Sequence, residues 1–187
     1  MKNTIELNSK ADKPEFRRMK ALLTCVSTDP TREAIRYARV EKDDDGILVI
    51  GTDGRRLRSD HFDMETIPGN YEIKANTAKS IFLTKSKSRL KFPNWRQVIP
   101  STNSKDAYAL KGMGKRFVLW VTAGLGCYID PELLAIRDDE GVTLYIQKDR
   151  PDLSPALLKN DTTTMVVMPI RVTEDWGRQL DAIRQAA

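Results

Sequence analysis

Apolar positions along this chain follow two periods. Between 16 and 26 they recur at helical spacing, as Phe16, Met19, Leu22, Leu23 and Val26, and Lys13-Pro14-Glu15 offers a start in which proline is tolerated in the first turn. Elsewhere a period of two prevails. Residues 3–7 alternate weakly as an opening strand, and 34–41 alternate and return through the turn Lys42-Asp43-Asp44-Asp45-Gly46 into 47–50, which predicts a β-hairpin. Residues 55–62 predict a third strand, closed by a turn at 67–70.

The order then restarts. Residues 71–74 read as a strand, Asn76 or Thr77 as the cap of a short helix through Leu83 or Lys85, 92–100 as a stretch bracketed by prolines, and 108–122 as a hairpin turning at Gly112 to Gly114. It restarts once more with a strand at 127–129 and a short helix entered at Asp130-Pro131 and running through Ile136. Strands at 142–147, 156–159 and 164–172 follow. The expected fold is α+β: antiparallel sheets with two or three short helices, in approximate strand-helix-strand-strand-strand units over 1–68, 69–124 and 125–172. Beyond them, Thr173 as an N-cap, Glu174 and Asp175 in a first turn, and Trp176, Leu180 and Ile183 on one face predict an amphipathic helical tail over 173–187.

Composition narrows the function. With 187 residues, 40% hydrophobic and 30% charged, the chain can bury a core, and no stretch approaches the ~18 apolar residues of a membrane span. Residues 1–10 lack a secretory pattern, so the expected location is cytoplasmic. Cys25 and Cys127 are isolated, the single histidine, His61, has no nucleophile or metal-ligand set at a recognisable spacing, and the Asp43–Asp45 run lacks the alternating ligands of a calcium loop. Gly112-x-Gly114-Lys115 lacks the Walker spacing and reads as a hairpin turn rather than a phosphate cradle before a helix. The expectation is a protein that is not an enzyme and takes no cofactor or metal.

Charge is uneven. Residues 1–100 hold 20 Lys and Arg against 14 Asp and Glu, and 101–187 hold 11 against 12. From 73 to 105, Lys74, Lys79, Lys85, Lys87, Arg89, Lys91, Arg96 and Lys105 occur without an acidic residue. That stretch suits duplex DNA, as do Arg17, Arg18 and Lys20 on the polar side of the first helix; a solvated basic loop and a solvated helix face account for the same residues equally well.

Two segments carry more. Gly51-Thr52-Asp53-Gly54-Arg55-Arg56-Leu57 and Met165-Val166-Val167-Met168-Pro169-Ile170-Arg171-Val172 each resemble, nearly letter for letter, a segment of the bacterial DNA polymerase III β sliding clamp. Residues 16–57 resemble the first half of that family's middle domain. Phe92-Pro93-Asn94-Trp95-Arg96-Gln97-Val98-Ile99-Pro100 is similar to its connector to the last domain, and 154–158 with 165–172 to its final strands. The resemblance implies a clamp-like fold and a groove that binds short peptide motifs of DNA polymerases and other partners. The matching positions are Ile35 on the hairpin strand, Thr52, Gly54, Arg55, Arg56 and Leu57 at the turn, Pro100 on the connector, and Val166, Met168, Pro169 and Ile170 at the end. Methionine and branched aliphatic residues suit an adaptable apolar slot, with arginines charging its rim.

The departures also matter. Nothing matches the family's first domain, arginine stands at 55 where histidine is usual, and the strands after Lys85 look shortened. Three roles remain open: a replication or repair accessory protein that docks peptides, an oligomeric ring around DNA, and a regulator competing with the full-length clamp for partners.

Overall fold

The opening segments obey their patterns. Thr4–Asn8 forms β1 with Ile5 and Leu7 buried, and Lys13–Leu23 forms α1 with Pro14 in its first turn and Phe16, Met19, Leu22 and Leu23 turned inward. The structure is a computed structural model that describes residues 2–171. After α1 come β2 (Ala38–Asp43), β3 (Gly46–Thr52), β4 (Arg56–Phe62), β5 (Gly69–Asn76), β6 (Ser80–Lys85) and β7 (Ala107–Met113). Then follow α2 (Gly114–Gly124), β8 (Gly141–Gln147), β9 (Ala156–Lys159) and β10 (Thr163–Val167).

The strands join in a single antiparallel sheet ordered β1-β6-β5-β2-β3-β4-β10-β9-β8-β7. The strand-helix-strand-strand-strand order occurs twice, as β1-α1-β2-β3-β4 and β7-α2-β8-β9-β10, with the β5–β6 hairpin between them in sequence. In the sheet that hairpin sits between β1 and β2, whereas β7 pairs directly with β8. The two units meet at the β4–β10 seam, where Leu57 lies opposite Val166 and Arg58 opposite Met165.

Register decides what each face carries, because neighbours along a strand point to opposite sides and cross-strand partners to the same side. Val49, Phe62 and Val40 lie under α1. Leu144, Leu158, Met165 and Val167 pack with Val118 of α2. The registers Val49 with Asp60 and Met165 with Arg58 put both helices on one face. The other face presents Ile50, Leu57, Leu157 and Val166, and residues of the connector after β6, Phe92 and Trp95, cover it.

Several local expectations give way to tertiary pairing. The strand expected at 34–41 begins later. Glu33–Ile35 is a 3-10 turn, so Ile35 precedes β2 rather than lying on it, and its carbonyl accepts from Ser27 N at 3.1 Å. The helix expected after Asn76 or Thr77 is β6: Ile81 and Leu83 are buried on alternate positions, and Thr77 Oγ1 accepts from Ser80 N at 3.0 Å as a turn cap.

The hairpin expected at 108–122 is also overturned. β7 pairs with β8, and a helix does follow Gly114. Gly114 has φ +74°, and a Cβ there would lie 2.6 Å from the Asp138 carbonyl oxygen, so only glycine fits this strand-to-helix corner. No strand forms at 127–129; the helix after Asp130 is a single 3-10 turn, Pro131–Leu133, capped by Asp130 Oδ1 on Glu132 N at 2.9 Å. The last strand ends at Val167 rather than 172, and the tail expected at 173–187 lies outside the described residues.

Candidate functional site

The turn between β3 and β4 is built from its own side chains. Asp53 Oδ1 accepts from Arg55 N at 2.9 Å and Arg56 N at 3.0 Å, while Thr52 Oγ1 donates to the Arg56 carbonyl at 2.7 Å and accepts from Gly54 N at 3.2 Å. Gly54 takes φ +89°, which the turn requires and which a side chain there rarely adopts. The bend thereby points Arg55 into solvent and brings Leu57 into the sheet.

Arg56 does not supply free charge to a rim, contrary to the expectation from sequence. Its Nε bonds Asp53 Oδ2 at 3.0 Å, one terminal nitrogen donates to the Glu132 carbonyl at 2.7 Å, and the other to the Thr24 carbonyl at 2.6 Å. It therefore ties the turn to the end of α1 and to the 3-10 turn of the second unit. Exposed Arg55 is the cation left at the edge.

Beside this turn is an apolar pocket of about 230 Å³. Ile35, Thr52, Gly54, Arg55, Arg56 and Leu57 line it with Val166 and Met168, so eight of the eleven residues nominated from sequence meet there. The pairing of β4 with β10 is what brings Leu57 and Val166 side by side, and Met168 N donates to the Arg55 carbonyl at 2.9 Å beyond the strand end. Pro100, Pro169 and Ile170 do not line it; Ile170 is exposed, its N–H donating to the Tyr128 carbonyl at 2.6 Å. The connector contributes Pro93, Asn94, Trp95 and Val98 in place of Pro100. The signal for them was present: an aromatic and an aliphatic residue between two prolines, in a segment with no ladder of its own.

The nominated DNA-contacting cations are spread over several elements, and three of them are engaged within the chain. Arg18 folds over the Phe62 ring at 5.0 Å and lies 3.8 Å from Glu15. Lys20 donates to the Thr77 carbonyl at 2.7 Å, and Lys74 to Glu72 at 2.5 Å. Arg17 and Lys79 are exposed on separate elements, and Lys85, Lys87 and Arg89 lie at the end of β6 and on the segment after it.

Burial pushes the thiols of Cys25 and Cys127 up to about 11, and at Cys25 it outweighs the opposing pull of the Arg56 and Arg58 cations. Among the described residues, no group of three or more His, Cys, Asp and Glu is arranged to hold a metal ion. His61 instead faces the β2–β3 turn, its Nε2 2.9 Å from Asp45 Oδ1. No described helix is long and apolar enough to cross a membrane.

A charged network lies directly behind the pocket, on the helix face. Arg58 is fully buried and bonds Asp60 through Nε at 2.7 Å and a terminal nitrogen at 3.0 Å, Glu140 at 3.2 Å, and the Ala135 carbonyl. Burial pulls its guanidinium pKa down, but ionised Asp60 and Glu140 more than offset this and leave it above its ordinary value. The network spans β4, the seam, and the loop before β8, and so fixes the two units against each other.

No family model and no curated protein sequence matches the chain. At the level of fold it is similar to the DNA polymerase sliding clamp of Pseudomonas aeruginosa, with TM-score 0.54 and 14% identity over 90% of this chain and 66% of that one. It is likewise similar to the DNA polymerase III β chain of Streptococcus pneumoniae (TM-score 0.55, 11% identity, 91% of this chain and 65% of that one). The DNA polymerase III β subunit of Thermotoga maritima gives TM-score 0.52 and 12% identity, over 92% and 66%. The chain spans about two thirds of the length of these clamps.

Proposed function

From a sliding-clamp fold, we propose that this chain is a non-enzymatic accessory protein of DNA replication or repair that docks short apolar peptide motifs of partners such as a DNA polymerase. The observation that carries the reading is the convergence of Leu57, Val166, Met168 and Ile35 from distant parts of the chain on one pocket of about 230 Å³. A site of that size, walled by aliphatic side chains and Trp95 and edged by a few polar groups, suits one or two apolar side chains of an extended peptide. Val98 and Met168 are 49% and 41% exposed there, so the apolar wall is open to a ligand in the described structure.

Anisotropy titration of a labelled clamp-binding peptide from a DNA polymerase tests the reading, with the full chain and with the chain shortened after residue 172. Saturable binding that Met168→Asp weakens about 10-fold supports it; no measurable binding to either form refutes it. A ring around duplex DNA draws less support, because Arg18, Lys20 and Lys74 are engaged within the chain. Sedimentation separates the two, since a ring requires an oligomer and a docking protein does not.

A further inference from the structure

The apolar pocket does not end at Trp95. Pro93, Asn94 and Trp95 also line a second concavity, of about 730 Å³. Arg39 and Asn70, paired in register, open into it from the face away from the helices, since Ala38 and Val40 on either side of Arg39 are buried beneath α1. Five cations line this groove, Arg39, Lys85, Arg89, Lys91 and Arg96, against a single carboxylate, Glu41. Glu41 is taken by Arg96 at 2.8 Å and Arg39 at 3.6 Å, which leaves Lys85, Arg89 and Lys91 without an ion-pair partner among the described residues. Trp95, the wall common to both cavities, is 7% exposed, and its indole Nε1 has no hydrogen-bond partner among the described residues. A buried donor of this kind is costly until an acceptor reaches it.

We infer that the peptide docked in the pocket carries carboxylate side chains beside its apolar anchor, the anchor entering at Leu57 and Val166 and the carboxylates lying along Lys85, Arg89 and Lys91. The inference rests on the peptide-docking reading above. A basic groove continuous with an apolar slot selects such a ligand twice over: apolar burial holds the anchor, and the field of the unpaired cations speeds encounter and disfavours a basic flank. Two-part recognition of this kind makes the affinity depend on salt only through the acidic flank.

Three labelled peptides test it on the full chain, each with a Leu-Leu-Phe core, flanked by glycines on both sides, by glutamates on the N-terminal side, or by glutamates on the C-terminal side. The expected result is that one acidic peptide binds about 10-fold more tightly than the glycine peptide at low salt, a gain that shrinks as salt is raised. In K85E/R89E/K91E that gain disappears while the affinity of the glycine peptide holds, and this variant touches no residue at the Leu57–Val166 end of the pocket. If the glycine peptide binds and neither acidic flank improves it, the inference is overturned and the docking reading stands. If no peptide binds, both fall together. If an oligothymidylate binds through the same three cations while the peptides bind alike, the groove takes a nucleic-acid backbone and the inference is overturned.

Discussion

Replacing Arg58 by methionine removes the one cation in a fully buried network while keeping a side chain of comparable length. Arg58 and Asp60 are both 0% exposed, and the guanidinium is the charge partner of Asp60 at 2.7 and 3.0 Å and of Glu140 at 3.2 Å. In R58M the Asp60 carboxylate keeps the Thr163 hydroxyl at 2.5 Å but loses the one cation that pairs with it among the described residues, and the Ala135 carbonyl loses its Arg58 donor. Removing one partner of a buried pair costs about 3–5 kcal/mol, a large part of the roughly 5–15 kcal/mol that holds a protein of this size. Urea unfolding followed by tryptophan fluorescence and far-UV circular dichroism measures the loss as a fall in midpoint at unchanged slope.

The companion R58M/D60L removes both charges of the Arg58–Asp60 pair and leaves Glu140, so its cost is expected to fall short of the sum of the singles by about 2 kcal/mol or more. Arg58 faces Met165 across the seam, one residue from the Leu57–Val166 pair that floors the pocket. R58M should therefore also weaken peptide binding even where the protein remains folded. A loss below about 1 kcal/mol for R58M, or a strictly additive double variant, refutes the reasoning that this network holds the two units together.

The remaining predictions concern single sites. Gly114→Ala places a Cβ 2.6 Å from the Asp138 carbonyl at φ +74° and should cost about 2–4 kcal/mol in the same unfolding assay. Gly54→Ala, at φ +89° but meeting only the movable end of Arg32, should cost about 1–2 kcal/mol. Met168→Asp, at a 41% exposed position, should leave the unfolding midpoint nearly unchanged and weaken binding of an apolar peptide about 10-fold, read by anisotropy. With thiols raised from 9.0 to about 11, Cys25 and Cys127 should react with iodoacetamide at pH 8 about 100-fold more slowly in the folded than in the unfolded chain. The same shift has a definite sign: the folded state favours the protonated thiol, so this contribution to stability is full below pH 9.0 and is lost as pH rises toward 11.

Much of the local structure was legible. The Phe16–Met19–Leu22–Leu23 stripe, the Asp43–Asp45 turn and the alternation of 142–147 are each decided by residues near one another in the chain, and each forms as its pattern predicts. The errors cluster where two segments of ambiguous propensity compete for a distant partner. Ser80-Ile81-Phe82-Leu83 fits a short helix or a strand, and pairing on both sides settles the choice, with the neighbouring β5 and with β1, which precedes it by seventy residues and more. Phe117-Val118-Leu119-Trp120 has the composition of a strand, yet the positive-φ corner at Gly114 turns the chain off the end of β7, and Val118 and Thr122 bury one helical turn apart.

The pocket divides the same way. Sequence alone specified its parts: a glycine-bounded turn at 51–57, an apolar strand beginning at 164, and the resemblance that joined them. The tertiary structure decided which of those parts meet, retiring Pro100, Pro169 and Ile170 in favour of Trp95 and Val98, and turning Arg56 inward onto Asp53 and two carbonyls. The physical reason is range. Turn chemistry and amphipathic periodicity act over a few residues, whereas a wall shared by residues 35, 57, 95 and 166 exists only once the β4–β10 register has placed Leu57 against Val166.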